Sequence, residues 1–234
     1  MSKTRAIVNL ATGSWYPLGQ RRLNASLDNV GFTGLREFYV SERDAIAPPH
    51  SRIPYAFKAH ALARSDGNLV LWCDSSMWAV KPLDPMVEAI EQGGYAFCHH
   101  LNFIGQWTND AALKAFQISR DAAMGEIMLS AGFFGLDLTR TIGTTILDEL
   151  LRKASLFPGE RDNANFTEST DSRCRGHRHD QSVLSLLARE FNCRIRFGQE
   201  TITLLQEGQP PPKTAIFLAR GMRGDETEQD WMKV

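Results

Sequence analysis

Residues 68–76 read NLVLWCDSS and contain the most strand-like run of this 234-residue chain. Five apolar residues, 69–73, are followed at once by Asp74, Ser75 and Ser76. An apolar run of this length with polar residues at its end predicts a buried strand that stops at the edge of a sheet. Ligands of open α/β sheets bind beyond the carboxyl ends of the strands, so Asp74 is a candidate for a functional site.

Strands and helices alternate on both sides of this run. Strands are predicted over 4–10, 35–40, 95–98, 127–138 and 216–218, with one or two more in 194–205. Helices are predicted over 18–30, 54–64, 84–92, 109–119, 141–155 and 180–191, and a polar loop over 99–108. This order predicts a single α/β domain with a mixed, mostly parallel central sheet flanked by helices.

Composition excludes several classes of protein. The hydrophobic fraction is 43% and the net charge is −1, from 26 Lys and Arg against 27 Asp and Glu, which excludes a disordered chain and a globally basic nucleic-acid binder. The apolar runs are too short to span a membrane, and the first residues, MSKTR, do not resemble a signal peptide. Four cysteines without a CxxC pair predict reduced thiols in a cytoplasmic protein. The alternative to four free thiols is a zinc site that uses Cys174, His177 and His179, although these residues lack the spacing that is usual for zinc ligands.

Two interpretations stay open for each of two polar residues, Asp74 and Lys58. Asp74 either binds a hard divalent cation or a sugar hydroxyl at the sheet edge, or simply caps a turn. The helix predicted to begin at Pro54 places Tyr55, Lys58 and Leu62 on one face. Lys58 either neutralises a phosphate or packs its stem while its amine reaches water.

Residues 171–180, DSRCRGHRHD, hold three arginines and two histidines directly before a predicted helix. Arginine binds phosphate in a bidentate manner, and a helix N-terminus also favours anions. The alternative is that Asp180 caps the helix and the arginines are solvated. Capping accounts for Asp180 but not for Gln181 beside it.

Several segments together resemble a known family. A strand ends in Asp74-Ser75-Ser76, a helix with Lys58 precedes it, AGFFGLD follows at 131–137, and a helix begins with His179-Asp180-Gln181. In this order they resemble the GT-A fold glycosyltransferases, and most of all the retaining glycogenin and galactosyltransferase type. The resemblance covers about residues 4–206.

The resemblance implies a Rossmann-like GT-A catalytic domain over 1–206, with 207–234 forming a proline-rich linker, a short strand and an acidic tail that pack on it. It also implies transfer of a sugar, with retention, from a UDP- or GDP-sugar to a hydroxyl acceptor, which is a glycan or a modified DNA base. Asp180 and Gln181 would be catalytic. The donor-binding residues would be Asn9, Ala11, Thr12, Lys58, Asp74, Ser75, Ser76, Gly132, Arg220 and Arg223.

The family pattern also implies Mn²⁺ or Mg²⁺, held by Asp74 and Ser76. Here Ser76 stands in place of the family's second aspartate, and no histidine follows His179. A hydroxyl is a weaker ligand than a carboxylate, so Arg220 and Arg223 are candidates for neutralising the diphosphate instead. The acceptor is expected over 99–110, and its predicted contacts are His100, Gln106, Trp107, Asp110 and His179.

Three other functions are weighed against sugar transfer. A nucleotidyltransferase would show a glycine-rich basic loop after the first strand, whereas residues 11–16 read ATGSWY. A metal-dependent hydrolase would use His177, His179 and Asp180, with Asp74 and Asp137 as further ligands. A non-catalytic binder of sugar nucleotides would bind the donor without turnover.

Overall fold

The computed structural model describes residues 3–13, 15–160, 167–205 and 210–220. The strands are β1 (Arg5–Leu10), β2 (Leu35–Tyr39), β3 (Leu69–Cys73), β4 (Met77–Ala79), β5 (Tyr95–Phe103), β6 (Ile127–Asp137), β7 (Ile202–Leu204) and β8 (Phe217–Ala219). The α-helices are α1 (Tyr16–Asn29), α2 (Phe57–Ala63), α3 (Asp84–Gly93), α4 (Asp110–Ala115), α5 (Arg120–Met124), α6 (Thr141–Arg152) and α7 (His179–Glu190). Short 3-10 helices cover Ile104–Gln106 and Ala154–Leu156.

The central sheet has the strand order β2-β1-β3-β6-β5. β1 pairs in parallel with both β2 and β3, while β6 pairs antiparallel with β3 and with β5. Four strands therefore run in one direction and β6 runs against them. This confirms the predicted mixed, mostly parallel sheet with helices around it.

Alternate residues of the buried strands supply two apolar layers, because successive side chains of a strand point to opposite faces. Val8 and Val70 belong to the core shared with α2, α6 and α7. Ile7 and Leu71 belong to the core shared with α1 and α3. The sheet is thus covered on both faces, as its near-continuous apolar strands require.

A second, smaller sheet has the order β4-β8-β7. Phe217 of β8 is fully buried in the core that also holds Ile7 and Leu71, and the Arg220 N–H donates to the Ser76 carbonyl at 3.2 Å. The segment after β8 therefore lies beside the loop after β3. This sheet joins residues from both sides of the predicted division at 206; residues 206–209 and 221–234 lie outside the described ranges.

The predicted element bounds need three corrections. Residues 99–103 are strand rather than loop, because His99 and Phe103 pair with β6. The helix with Lys58 begins at Phe57 and not at Pro54, since Tyr55 adopts a left-handed φ of 61°. The helix predicted over 109–119 ends at Ala115, beyond which Gln117 has a φ of 54° and α5 starts as a separate helix. In addition, the short strand β4 was not predicted at all.

Helix α1 lies directly against the loop that follows β3. A Cβ built on Gly19 would come within 2.0 Å of the Ser75 carbonyl oxygen. Only glycine permits this approach, so Gly19 allows the loop after β3 to pack directly against α1.

The four cysteines are unpaired, as the sequence predicted. Cys73 is fully buried in β3, and burial raises the pKa of its thiol well above the ordinary value. Within the ranges that the structure describes, no helix is both long and apolar enough to cross a membrane.

Candidate functional site

A cleft of about 620 Å³ opens beyond the carboxyl ends of β1 and β3. Asp74, Ser75 and Ser76 line it from the end of β3, and Ala131 and Gly132 line it from the middle of β6. The first turn of α7 and the segment after β8 complete its walls. The cleft therefore lies where ligands of open α/β sheets bind.

Lys58 joins three elements at the floor of this cleft. Its side chain is only 5% exposed, and its Nζ lies 3.1 Å from Asp74 Oδ1 and 3.0 Å from Asp180 Oδ2. The same Nζ donates to the Ala131 carbonyl at 2.8 Å. An ammonium group has three donors, and these three oxygens use all of them. We call Lys58, Asp74 and Asp180 the cleft cluster. The amine of Lys58 thus meets two carboxylates and a carbonyl in this structure, and neither water nor a phosphate, the two partners that the sequence suggested.

The cleft cluster carries one negative charge in excess. Desolvation by burial lowers the pKa of Lys58, but the Asp180 and Asp74 carboxylates together raise it above the ordinary 10.5, so the amine stays charged. Burial raises the pKa of Asp180 to about 6, against the opposing effect of the Lys58 ammonium and with help from the Asp74 charge. At neutral pH two carboxylates thus share one cation.

Asp74 is held in one orientation by its neighbours. The Trp72 Nε1–H donates to Asp74 Oδ1 at 2.7 Å, and the Asp74 backbone N–H donates to the Gly132 carbonyl at 2.8 Å. A Cβ on Gly132 would lie 3.3 Å from Asp74 Oδ2. The carboxylate remains 34% exposed, so it is accessible from the cleft.

Two predicted donor residues lie beneath the cleft rather than in its wall. Asn9 is fully buried; its Nδ2 donates to the Cys73 carbonyl at 2.6 Å, and its Oδ1 accepts from Gln20 Nε2 at 2.8 Å. Ala11 is buried, and its N–H donates to the Tyr39 carbonyl at 3.1 Å. Asn9 and Ala11 thus hold the end of β1 against its neighbouring strands. Thr12 follows directly and lines the cleft.

The start of α7 brings three polar side chains to the cleft wall. Asp180 lies in the first turn, where the helix dipole favours a carboxylate. Gln181 Nε2 donates to the Leu129 carbonyl at 2.6 Å, which ties α7 to β6. His179 has a left-handed φ of 50°, and its Nδ1 lies 2.9 Å from the Phe157 carbonyl.

Aromatic rings form another wall of the cleft. The ring centroids of His50 and Tyr55 are 4.7 Å apart, those of Tyr55 and Phe57 6.0 Å, and those of Tyr55 and His179 5.4 Å. We call His50, Tyr55 and Phe57 the aromatic wall. His50, Phe57 and Tyr16 line the cleft but were not predicted as site residues. The density of aromatic residues just before the helix with Lys58 is the signal that points to the first two.

Most predicted acceptor residues lie outside the cleft wall. His179 lines the cleft, but His100, Gln106, Trp107 and Asp110 do not. The extension of β5 carries residue 100 along the sheet edge, and residues 104–128 form a small core together with Leu186 of α7. Trp107 reaches the site indirectly, since the guanidinium of the cleft-lining Arg178 lies 4.3 Å from its ring centroid.

Of the two arginines predicted to bind the diphosphate, the structure describes only Arg220. Arg220 lines the cleft beside Ser76, whose carbonyl also accepts from Arg22 Nη2 at 3.0 Å. Arg22 is fully buried, with its guanidinium 4.0 Å from the ring centroid of Trp78. Arg223 lies outside the described residues.

The residues present do not fit a divalent cation. Among the described residues, no group of three or more His, Cys, Asp or Glu side chains is arranged to hold a metal. The ammonium of Lys58 lies between Asp74 and Asp180, 3.1 Å and 3.0 Å from their carboxylate oxygens, where a bridging ion would have to lie. The described residues therefore give Mn²⁺ or Mg²⁺ no role in the chemistry of this site.

The histidine sites predicted for zinc and for hydrolysis are closed by backbone groups. His177 Nε2 donates to the Leu156 carbonyl at 2.9 Å, and its Nδ1 accepts from the Asn109 N–H at 3.2 Å. Burial lowers the pKa of His177 to about 4, so the ring is neutral and both nitrogens are used. Cys174 Sγ donates to the Thr108 carbonyl at 3.3 Å.

The fold of the chain resembles that of solved structures of other proteins. No family model and no curated protein matches the chain. The chain is similar to the solved apo structure of WbbM, a bifunctional glycosyltransferase, with a TM-score of 0.57 and 10% sequence identity. The likeness covers 99% of this chain and 49% of that one, so this chain spans about half its length. The chain therefore shares its fold with about half of that protein. At this level of identity the likeness is evidence of fold, and the GT-A subtype still depends on the residues quoted above.

Proposed function

We propose that the protein is a glycosyltransferase that moves a sugar from a nucleotide-sugar donor to a hydroxyl acceptor. The observation that carries the proposal is the cleft cluster: two carboxylates, fixed by one buried ammonium, at the carboxyl ends of the strands. The glycosyltransferase-like fold supports it. No contact of the described residues favours a nucleotidyltransferase or a hydrolase.

Breaking the bond between a sugar and a diphosphate creates positive charge at the anomeric carbon and negative charge on the leaving group. Preorganised charges stabilise both best. We place Asp180 and Gln181 beneath the sugar, so that the Asp180 carboxylate faces the developing cation. We place Arg220 against the diphosphate of a UDP- or GDP-sugar. The other proposed donor contacts are Thr12, Asp74, Ser75, Ser76 and Gly132.

We place the acceptor at the aromatic wall. Tyr55 is close to both the cleft cluster and α7, with its ring centroid 5.1 Å from Lys58 Nζ and 5.4 Å from that of His179. Aromatic faces provide large, rigid apolar contact surfaces. A sugar ring of a glycan acceptor fits such a surface while its hydroxyl points to Asp180. Retention of anomeric configuration, as the GT-A resemblance implies, would make Asp180 or Gln181 the group beneath the reacting carbon.

A donor screen tests the proposal. UDP-, GDP-, ADP- and CMP-sugars are added to the protein, and the melting temperature and the release of the nucleotide are measured; the released nucleotide is the diphosphate for the first three donors and CMP for the last. A ligand at 100 times its Kd stabilises the native state by about 2.7 kcal/mol, so a donor raises the melting temperature clearly. Absence of both a shift and release with every donor overturns the proposal.

Matched arginine variants localise any response. Arg220→Met is expected to weaken binding of the donor, because it removes the cation placed against the diphosphate. Arg152→Met is the control, since Arg152 is 63% exposed on α6 and pairs with Glu149. Equal donor affinity in both variants would contradict the placement of the diphosphate at Arg220.

A further inference from the structure

We infer that Lys58 excludes a divalent cation from the Asp74–Asp180 pair and takes over its structural role, so that the site binds nucleoside diphosphates without metal. The second part rests on the proposed function, whereas the first concerns the protein alone. The relevant observation is the position of the ammonium, 3.1 Å and 3.0 Å from the two carboxylates. A metal ion bridging those carboxylates would have to occupy the same space.

Lys58 is not free to move aside. Its third donor is used by the Ala131 carbonyl at 2.8 Å, which would lose a buried hydrogen bond if the amine left. The amine also lies 5.1 Å from the Tyr55 ring centroid and 5.6 Å from that of Trp72. The aromatic faces favour a cation at this place.

An added metal ion would meet an unfavourable charge and too few ligands. A divalent ion at the Asp74 carboxylate would lie close to a permanent ammonium charge in a largely buried setting, where repulsion between like charges is strong. Asp74 Oδ1 already accepts from Trp72 Nε1. Divalent cations such as Mg²⁺ need about six oxygen ligands, and the described residues offer no third acidic or histidine ligand here.

The same geometry explains why a serine is tolerated at 76. With Lys58 holding Asp74 and Asp180 together, a third carboxylate at 76 would add negative charge to a cluster that already has an excess. The charge of a diphosphate is instead met by Arg220, which lines the cleft beside Ser76. Lys58 is thus a positioning residue.

Titration of the nucleotide-free protein with Mn²⁺, followed by electron paramagnetic resonance, tests the first part. The wild type is expected to bind no Mn²⁺ that depends on Asp74. Bound Mn²⁺ that disappears in Asp74→Asn overturns the inference, while Mn²⁺ that persists in Asp74→Asn lies elsewhere and leaves it supported.

A lysine variant gives the converse test. Lys58→Met keeps an apolar stem but removes the cation between two carboxylates, so its Mn²⁺ affinity is expected to rise by about tenfold or more. Lys153→Met is the control, because Lys153 also faces a carboxylate, that of Glu149 at 3.7 Å, but outside the cleft. An unchanged affinity in folded Lys58→Met contradicts the inference, and the wild-type titration decides it if this variant does not fold.

Calorimetry with UDP and GDP tests the second part. Equal affinity in excess EDTA and in Mn²⁺ or Mg²⁺ is expected, and a gain of tenfold or more with metal overturns the inference while the proposed function stands. If neither nucleotide binds under any condition and every donor of the screen also fails, the proposed function fails, and the nucleotide-free Mn²⁺ titration still decides whether Lys58 excludes the ion.

Discussion

Two clusters of this protein each pair aspartate with a basic side chain, but they differ in their balance of charge and in their surroundings. The cleft cluster joins β3, α2 and α7, and the Asp110 cluster (Asp110, Arg120, Ser169 and Thr170) joins α4 and α5 to the segment before α7. In the Asp110 cluster one carboxylate meets one guanidinium, which also donates to the Gly105 and Thr108 carbonyls. In the cleft cluster two carboxylates share one cation and face a cavity.

The pKa directions follow from this difference. Burial raises the pKa of Asp110, but hydrogen bonds from Thr170, Ser169 and Arg120 outweigh it and lower the pKa overall. In the cleft cluster burial prevails, and the pKa of Asp180 rises to about 6. An excess of charge beside a cavity, rather than a group of charges as such, separates a candidate active site from a structural ion pair.

The largest expected effect is on turnover when the charge at Asp180 is removed. Asp180→Asn should lower donor turnover by about 1000-fold, since a preorganised charge aimed at the transition state is lost. The measurement is release of nucleoside diphosphate with the donor found by the screen. Asp110→Asn is the matched control and should stay within a few-fold of wild type. Similar losses in both variants would erase the distinction between the clusters.

The next effect concerns pH and His177, which is bonded to Asn109 beside the Asp110 cluster. Its pKa is lowered from 6.5 to about 4, so the unfolded chain binds this proton more readily and the free energy of unfolding falls as pH drops from 6.5 towards 4. The share of His177 is roughly 3 kcal/mol. Urea unfolding across this range should show a flatter pH dependence for His177→Gln than for the wild type.

Asp180 acts in the opposite direction over part of this range, since a raised carboxyl pKa stabilises the fold as pH falls from about 6 towards 4. Comparing the wild type with His177→Gln isolates the histidine, because Asp180 is common to both. An NMR titration of the His177 ring with a midpoint near 6.5 would show that its closed environment does not exist in solution.

A smaller effect is expected on stability at the Asp110 cluster. Asp110→Ala should lower the free energy of unfolding by about 2 kcal/mol, because the buried Arg120 guanidinium loses a charged acceptor. Turnover per folded molecule should not change. Asp148→Ala, at an exposed position of α6, is the control for loss of an aspartate. A selective loss of turnover in Asp110→Ala would move this cluster into the functional site.

The smallest effect is a displacement of Asp74 within the cleft cluster. Gly132→Ala places a Cβ 3.3 Å from Asp74 Oδ2, so the carboxylate must shift by a few tenths of an ångström. Turnover should fall by about tenfold or less, with little change in melting temperature. Gly93→Ala is the control, because nothing lies within 4 Å of its added Cβ. Equal turnover in both variants would show that the position of Asp74 does not matter.

Local patterns were sufficient for much of the fold. Apolar runs predicted β1, β3 and β6 nearly to the residue, because buried strands need continuous apolar side chains on both faces. The polar residues after β3 and at the start of α7 were also predicted from local sequence, because they come directly after an apolar run or directly before a helical pattern, and both groups line the cleft. The short β4 and α5 carry too few residues for a periodic signal.

The acceptor side of the site was less accessible to sequence reasoning. Residues 99–103 are polar and aromatic like a loop, yet strand pairing with β6 makes them extended and leads His100 away from the cleft wall. The aromatic wall comes from the segment before α2 and from the first residue of that helix, and no local periodicity predicts the path of this segment.

The sequence by itself determined an α/β sheet with Asp74 directly after β3 and Asp180 at the start of α7, because strand ends and helix starts follow from local patterns of polarity. Only the tertiary structure decided what Lys58 does. Its charge could have met a phosphate, water or a carboxylate, and the choice depends on the packing of α2 against β3 and α7, which are distant in sequence. Burial then made its pairing with both carboxylates the arrangement that satisfies every donor of the ammonium.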